Sequence, residues 1–211
     1  MNDQMKIKFI ANWLGSGSIN LFGRPLSGKD SQGKRLAELF HGNLISGGDI
    51  LRNSDIPVHV REALDAGNLV PTDDYIKIVL PYLSREYLSN QPLILSSVGR
   101  WHGEEDGVIQ VLEKSNHDLK AVVYLDISED EAIKRYYASQ EIADRHNRAD
   151  DDIEKLTTRF AEFNNKTLPV IDFYKNRGLL IEIDGIGSRD AITDNIINNL
   201  YDFVNLASAS P

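Results

Sequence analysis

Gly23-Arg24-Pro25-Leu26-Ser27-Gly28-Lys29-Asp30-Ser31 is the segment whose spacing most directly implies chemistry. A glycine, four residues, Gly-Lys and a hydroxyl residue form a phosphate-binding loop when a strand precedes them and a helix follows. Ile19–Phe22 is a short apolar run and a helical pattern begins near Gly33, so both conditions are met. Glycines let backbone N–H groups converge on phosphate oxygens, and the helix N-terminus adds partial positive charge. The loop residues Gly23, Ser27, Gly28, Lys29, Asp30 and Ser31 are therefore expected to hold phosphates, with Lys29 as a point charge on the terminal ones and the Ser31 hydroxyl on Mg2+. The hydroxyl arrives one position late, because Asp30 directly follows the lysine. The competing reading is a glycine-rich turn with an exposed lysine.

The elements that must position this loop read as an α/β sandwich. Ile19–Phe22, Pro92–Val98, Ala121–Ile127 and Leu179–Ile183 are short apolar runs bounded by polar or glycine-containing segments, as buried parallel strands are. Asn43–Ser46 is a further candidate strand. Helical patterns at Gly33–Phe40, Pro57–Ala66, Asp73–Ser89, Asp130–Ser139, Asp150–Asn176 and Asp190–Leu206 alternate with them, which places helices on both faces of a parallel sheet. Ahead of this unit, Met5, Phe9, Ile10, Trp13 and Leu14 share one helical face, so residues 1–17 read as a helical extension whose stripe docks on the core. The tail at Ala207–Pro211 is expected to fray.

Composition removes several function classes. The chain has 211 residues and a formal net charge of −9, which argues against sequence-independent binding to nucleic acid or to an anionic membrane. It has no cysteine, so a disulfide framework, a thiolate zinc site and a catalytic thiol are excluded. There is no apolar run long enough to span a membrane, and Lys6 and Lys8 interrupt any signal-peptide core, so a cytoplasmic location is expected. The histidines lack metal-ligand spacing. A GTPase would carry an Asn-Lys-x-Asp segment; Asn165-Lys166-Thr167-Leu168 lacks the aspartate.

Residues 23–32, GRPLSGKDSQ, resemble the GxPGxGKGTQ loop of adenylate kinases and related nucleoside-monophosphate kinases. SGGDILR at 46–52 resembles that family's STGDxLR, and Gly67–Pro71 its G-x-L-V-P turn. Gly99-Arg100 falls at the end of its DGFPR, Arg148–Asp151 resembles its R-x-D-D, and residues 159–178 resemble the helix that follows. These pieces occur in order over about residues 18–200. The resemblance implies a three-layer P-loop nucleoside-monophosphate kinase fold, with a five-stranded parallel sheet and helices on both faces. Residues 18–211 would be one kinase domain, with an acceptor-binding arm at about 47–90 and a short lid at about 136–149. The implied reaction moves the terminal phosphoryl of ATP, with Mg2+, to a nucleoside monophosphate, AMP first among the acceptors, in a monomer whose partners are small nucleotides.

Carried over by position, Lys29, Arg135, Arg148 and Arg159 would be catalytic, the three arginines surrounding the phosphoryl in flight. Gly47, Arg52, Val70, Gly99, Arg100 and Glu104 would bind the acceptor, Arg52 and Arg100 through its phosphate. A planar guanidinium suits this, since it grips phosphate bidentately. The sequence also departs from the family. Ser96 stands where the family has the aspartate ending the third strand, and Asp30 is a candidate substitute carboxylate. Gly47 replaces a threonine, and Ser139 replaces a lid arginine that Arg145 partly supplies. Glu104 replaces a base-reading glutamine. An ionised carboxylate only accepts hydrogen bonds, which suits guanine better than adenine. Glu104 is therefore expected either to favour GMP or to face water. A pyrimidine monophosphate is a further acceptor, and a nucleotide sensor that has lost catalysis is the reading from another class.

Overall fold

The computed structural model describes residues 2–140 and 153–209. Strands β1 (Ser18–Gly23), β2 (Asn43–Ser46), β3 (Leu93–Ser96), β4 (Leu119–Asp126) and β5 (Leu180–Asp184) form one five-stranded sheet in the order β2-β3-β1-β4-β5. Every pairing is parallel. β1 and β3 are buried along their whole length, which is why they read as near-continuous apolar runs.

Side chains alternate across the pleat and divide the core between two faces. Ile19 and Leu21 of β1, Ile94 of β3 and Val123 of β4 pack with Ile10 and Leu14 of α1 (Asp3–Leu14), Leu36 of α2 (Lys29–Leu39) and Ile196 and Leu200 of the C-terminal helix. On the opposite face, Phe22 and Val122 meet Val170 and Tyr174, while Leu93 and Leu95 meet Leu80, Leu83, Val108 and Leu112. The architecture is the expected three-layer sandwich. α1 starts at an Asn2 side chain that accepts from the Met5 N–H, and its aromatic residues pack partly on the C-terminal helix: Phe9, still exposed on its outer side, meets Tyr201 edge-on at 5.4 Å and Trp13 meets Phe203 at 6.1 Å.

The remaining helices are α3 (Gly47–Asn53), α4 (Val58–Asp65), α5 (Thr72–Ile78), α6 (Glu105–Lys114), α7 (Glu129–Gln140), α8 (Ile153–Glu162), α9 (Leu168–Asn176) and α10 (Arg189–Ala209). Several bounds differ from the sequence expectation, each for a local reason. α2 starts at Lys29 because the loop runs straight into its first turn. The pattern at Asp73–Ser89 breaks after Ile78 into 3-10 turns at Leu80–Ser84 and Glu86–Leu88, since Pro81 has no N–H to donate and restricts the residue before it. α3 and α6 escaped the reading because Gly47-Gly48 and Gly107 weaken the helical signal inside them. The long helix expected up to Asn176 passes through a π-helical turn at Phe163–Thr167, which accommodates Pro169 at the start of α9.

Candidate active site

The strands of a parallel sheet all end on one edge, and that edge is where ligands bind in open α/β folds. Here β1 ends in Gly23. A Cβ at that position would lie 2.3 Å from Ser27 Oγ and 3.0 Å from the Leu125 carbonyl oxygen, so the loop can fold back over β1 only because residue 23 is glycine. Ser27 N–H closes the turn on the Arg24 carbonyl at 3.0 Å. Gly28, at φ +91°, caps α2. Leu26 is also left-handed, at φ +67°, a conformation that costs a non-glycine residue about 1–2 kcal/mol. Its side chain packs against the cluster of Ile127, Ala132, Leu156 and Phe160, which holds the strained turn in place. The first-turn N–H groups of α2 have no acceptor within the helix and line the cradle. Ser27 Oγ is buried with no hydrogen-bond partner among the described residues.

Lys29, Arg52, Arg100 and Arg159 line one cleft at this edge, together with Gly23, Asp30, Ser96 and Thr167. They come from four separate elements. Arg52 stands in the last turn of α3, whose first turn is capped by Ser46 Oγ accepting from Asp49 N–H, and it pairs with Asp49 at 2.6 Å. Arg159 projects from α8 beside the arm, where a Cβ on Gly67 would meet its Cγ at 3.3 Å. Arg100 follows β3 in a loop whose main chain is held by buried side chains. Thr167 Oγ1 donates to the Arg100 carbonyl at 3.1 Å, and the buried Asn20 side chain clamps Val98, donating to its carbonyl at 2.8 Å and accepting from its N–H at 3.3 Å. Asn20→Leu would orphan both Val98 groups. It is expected to cost about 2–3 kcal/mol in urea denaturation and to raise KM for the acceptor.

Burial draws the Arg100 guanidinium below its ordinary value, and the positive charge of Arg159 pushes the same way, although Tyr75, Glu104 and Asp30 oppose it. Two guanidinium groups that repel across a cleft constitute a preformed anion site, because an anion between them removes the repulsion.

The other predicted acceptor residues are less exposed to this cleft. Gly47 is buried behind Gly48, which lines it. A Cβ on Gly47 would stand 2.8 Å from Tyr75 Oη, and that hydroxyl accepts from the Gly99 N–H at 2.9 Å. Burial raises the Tyr75 pKa well above the phenol value, so Tyr75 is neutral. The tyrosine oxygen fills the space beside Gly47, a relation no helical periodicity displays. Gly47→Ala is expected to destabilise the fold by about 1–3 kcal/mol through overpacking. In a double-mutant cycle, Tyr75→Phe should recover part of that loss; strict additivity would contradict the proposed contact.

Val70 belongs to the core with Ile45, Leu51 and Val60, while its neighbours Asn68 and Leu69 line the cleft. Glu104 neither faces water nor lines the cleft. It is buried and accepts from the Trp101 N–H at 3.1 Å. Desolvation raises its pKa, opposed by the Trp101 and Arg100 N–H groups and the Thr72 hydroxyl. The arm is tied to α8 by Leu69 N–H, which donates to Glu162 at 2.8 Å; Lys166 pairs with the same carboxylate at 2.7 Å.

A second cleft adjoins the first and is lined by Leu26, Ser27, Gly28, Ser31, Arg135, Ser139 and Arg189. Arg135 lies here and not with the other arginines. Its guanidinium donates to the carbonyls of Leu26 at 3.3 Å, Ser27 at 3.2 Å and Gly185 at 2.7 Å, and to Glu131 at 2.8 Å. Those bonds brace the phosphate loop, so the geometry does not match the expected role around the phosphoryl in flight. Arg148 and Arg145, with most of the segment at about 136–149, lie outside the described residues.

Among the described residues no three His, Cys, Asp or Glu side chains group into a metal cage. Oxygen donors near the loop include the Asp30 carboxylate and the hydroxyls of Ser27, Ser31, Ser96 and Ser97. Mg2+ keeps most of its water and is usually held by one or two carboxylates plus substrate phosphates, so this sparse oxygen set suits it.

Residues 21–179 match the family model described as adenylate kinase. The chain belongs to the adenylate kinase family. The match begins inside β1 and ends just before β5, leaving α1, β5 and α10 outside it. An adenylate kinase of Leptospira biflexa is 33% identical over 183 residues, covering 84% of this chain and 96% of its own length. One from Schistosoma mansoni is 34% identical over 191 residues, covering 88% and 93%. One from Phocaeicola vulgatus is 29% identical over 185 residues, covering 85% and 96%. As an adenylate kinase family member the protein is an enzyme, a nucleoside-monophosphate kinase that binds nucleotides and transfers a phosphoryl group. No helix among the described residues is long and apolar enough to cross a membrane.

Proposed function

We propose that this enzyme transfers the terminal phosphoryl of ATP to AMP, giving two ADP. The observation that carries the reading is the meeting of Lys29, Arg52, Arg100 and Arg159 in one cleft at the mouth of the glycine loop. A chain with an overall charge of −9 concentrates positive charge where two polyanions must approach each other.

Lys29 and the first-turn N–H groups of α2 hold the donor phosphates, with Gly23, Ser27 and Gly28 shaping the cradle. Arg52 and Arg100 grip the acceptor phosphate, Gly47, Gly99 and Val70 shape the arm around it, and Arg159 stands between the two nucleotides. Arg148 is assigned to the same group from the sequence. Arg135 acts by holding the loop. The acceptor oxygen is already ionised at neutral pH, so no general base is required. It attacks the terminal phosphorus in line while the bond to the bridging oxygen breaks, and ADP leaves as an anion. The protein's contribution is position and charge neutralisation. When bound, Mg2+ supplies neutralising charge on the donor phosphates; Asp30 and Ser31 are the residues to hold it. Closure of the arm at about 47–90 and the lid at about 136–149 keeps water from competing as acceptor. We assign the enzyme to the cytoplasm as a monomer.

AMP is preferred over GMP because the carboxylate that suggested guanine, Glu104, turns inward onto the Trp101 N–H. The test is a coupled assay with ATP and AMP, GMP, CMP or UMP in turn. The reading predicts that AMP is turned over fastest. Fastest turnover of GMP would return Glu104 to the base site, and binding without turnover of any acceptor would support a sensor.

A further inference from the structure

Asp30 is an acid placed where acids should be excluded. Its carboxylate lines the cleft that Lys29, Arg52, Arg100 and Arg159 make positive. A carboxylate there repels every phosphate the cleft is built to hold, and a partly buried pair is screened by salt less than one on the open surface. The bland account is that an acid in the first turn of α2 complements the helix dipole. Its observed contacts go beyond that role. Oδ1 accepts a hydrogen bond at 2.5 Å from Ser96 Oγ, at the end of β3, and Oδ2 lies 3.8 Å from Lys29 Nζ. The carboxylate is thus turned across the cleft toward a different strand, and its side chain remains 45% exposed.

The contact joins two positions, one in the loop and one at the end of β3, that depart from the resembling pattern: an acid in place of glycine, and a serine in place of an acid. The strand-end carboxylate is missing, and one from the loop reaches the serine that stands there. In phosphate-loop enzymes generally, Mg2+ is held by the loop hydroxyl and a carboxylate from a neighbouring strand. Asp30 and Ser31 place both groups on consecutive residues.

We propose that Asp30, oriented by Ser96, is the carboxylate that receives the divalent cation carried by the donor nucleotide. The inference rests on the phosphotransfer reading above. It makes the charge of residue 30 act in opposite directions with and without the cation. Without Mg2+, Asp30 repels the donor phosphates. With Mg2+, it attracts the complex.

The test is calorimetric binding of the β,γ-imido analogue of ATP, with and without Mg2+, to the wild-type enzyme and to Asp30→Gly, Asp30→Asn and Asp30→Gly/Ser96→Asp. In Asp30→Gly and Asp30→Asn the metal-free analogue should bind more tightly than to wild type. The Mg2+ complex should bind at least ~10-fold more weakly, the scale of losing a group that orients or holds a metal. Returning the carboxylate through Ser96→Asp should restore the tightening by Mg2+. Equal tightening by Mg2+ in wild type and Asp30→Gly would overturn the proposal. So would equal weakening under both conditions, which is the signature of a purely structural residue. Either result leaves the phosphotransfer reading standing, since that is judged separately by turnover in the coupled assay.

Discussion

Lys29→Met is expected to lower kcat by about 10³-fold with AMP as acceptor while the thermal melt stays near that of the wild type. The side chain is mostly buried, with 13% of its surface exposed, and it emerges from the first helical turn after the loop. Methionine keeps the length and apolar stem and removes only the ammonium. Two consequences then act together. The terminal phosphates lose their nearest point charge, and Asp30, 3.8 Å from that ammonium, loses a cation that offsets its own repulsion. Because charge on the phosphates redistributes as the bond to the bridging oxygen breaks, the loss falls mainly on kcat and less on KM for ATP. A steady-state assay beside a melting curve checks this, and activity within a few-fold of wild type would remove Lys29 from the site.

Arg100→Ala and Arg159→Ala are each expected to reduce kcat/KM by about 10²–10³-fold, with different signatures. Arg100, fixed by the Asn20 clamp on Val98 and the Thr167 hydroxyl, is assigned to the acceptor's own phosphate, so its loss should raise KM for the acceptor as well as lower kcat. Arg159 comes from the opposite wall, on α8, and should affect kcat with little change in KM for either nucleotide. The double variant should lose much less than the sum, because both side chains act on one shared anion. Purely additive losses would mean that the two guanidinium groups serve separate ligands. Lysine at either position is expected to recover only a small part of the activity, since a point charge cannot reproduce the bidentate fork.

The parts of this molecule legible in the sequence are those fixed by near neighbours along the chain. The β1 run and the loop after it carry their own pattern. The apolar runs Leu93–Leu95 of β3 and Ala121–Leu125 of β4 could be read because both sheet faces are covered there, so consecutive positions are apolar. The arginines became legible only through resemblance, since any single arginine is equally at home on a solvated helix. What escaped the reading is set by contacts distant in sequence. Asn20 reads as a polar interruption of a strand, yet it holds a segment 78 residues away. Glu104 reads either as a base-reading carboxylate or as a surface acid, yet a turn at Trp101 closes over it. Arg135 reads as one more member of the phosphoryl clamp, and its own pattern gives no hint that the loop's carbonyls take up its donors. Leu26 is the opposite case: the resembling pattern has glycine there, and that mismatch was the available signal for its positive φ.

The central claim is that donor and acceptor occupy the enzyme together and exchange the phosphoryl directly. Initial rates measured over a matrix of ATP and AMP concentrations, with a parallel search for label retained on the protein from ATP labelled in its terminal phosphate, test it most directly. The account predicts intersecting reciprocal plots and no labelled protein. Parallel lines with a phosphorylated enzyme would show transfer in two steps through a protein nucleophile, and would contradict it.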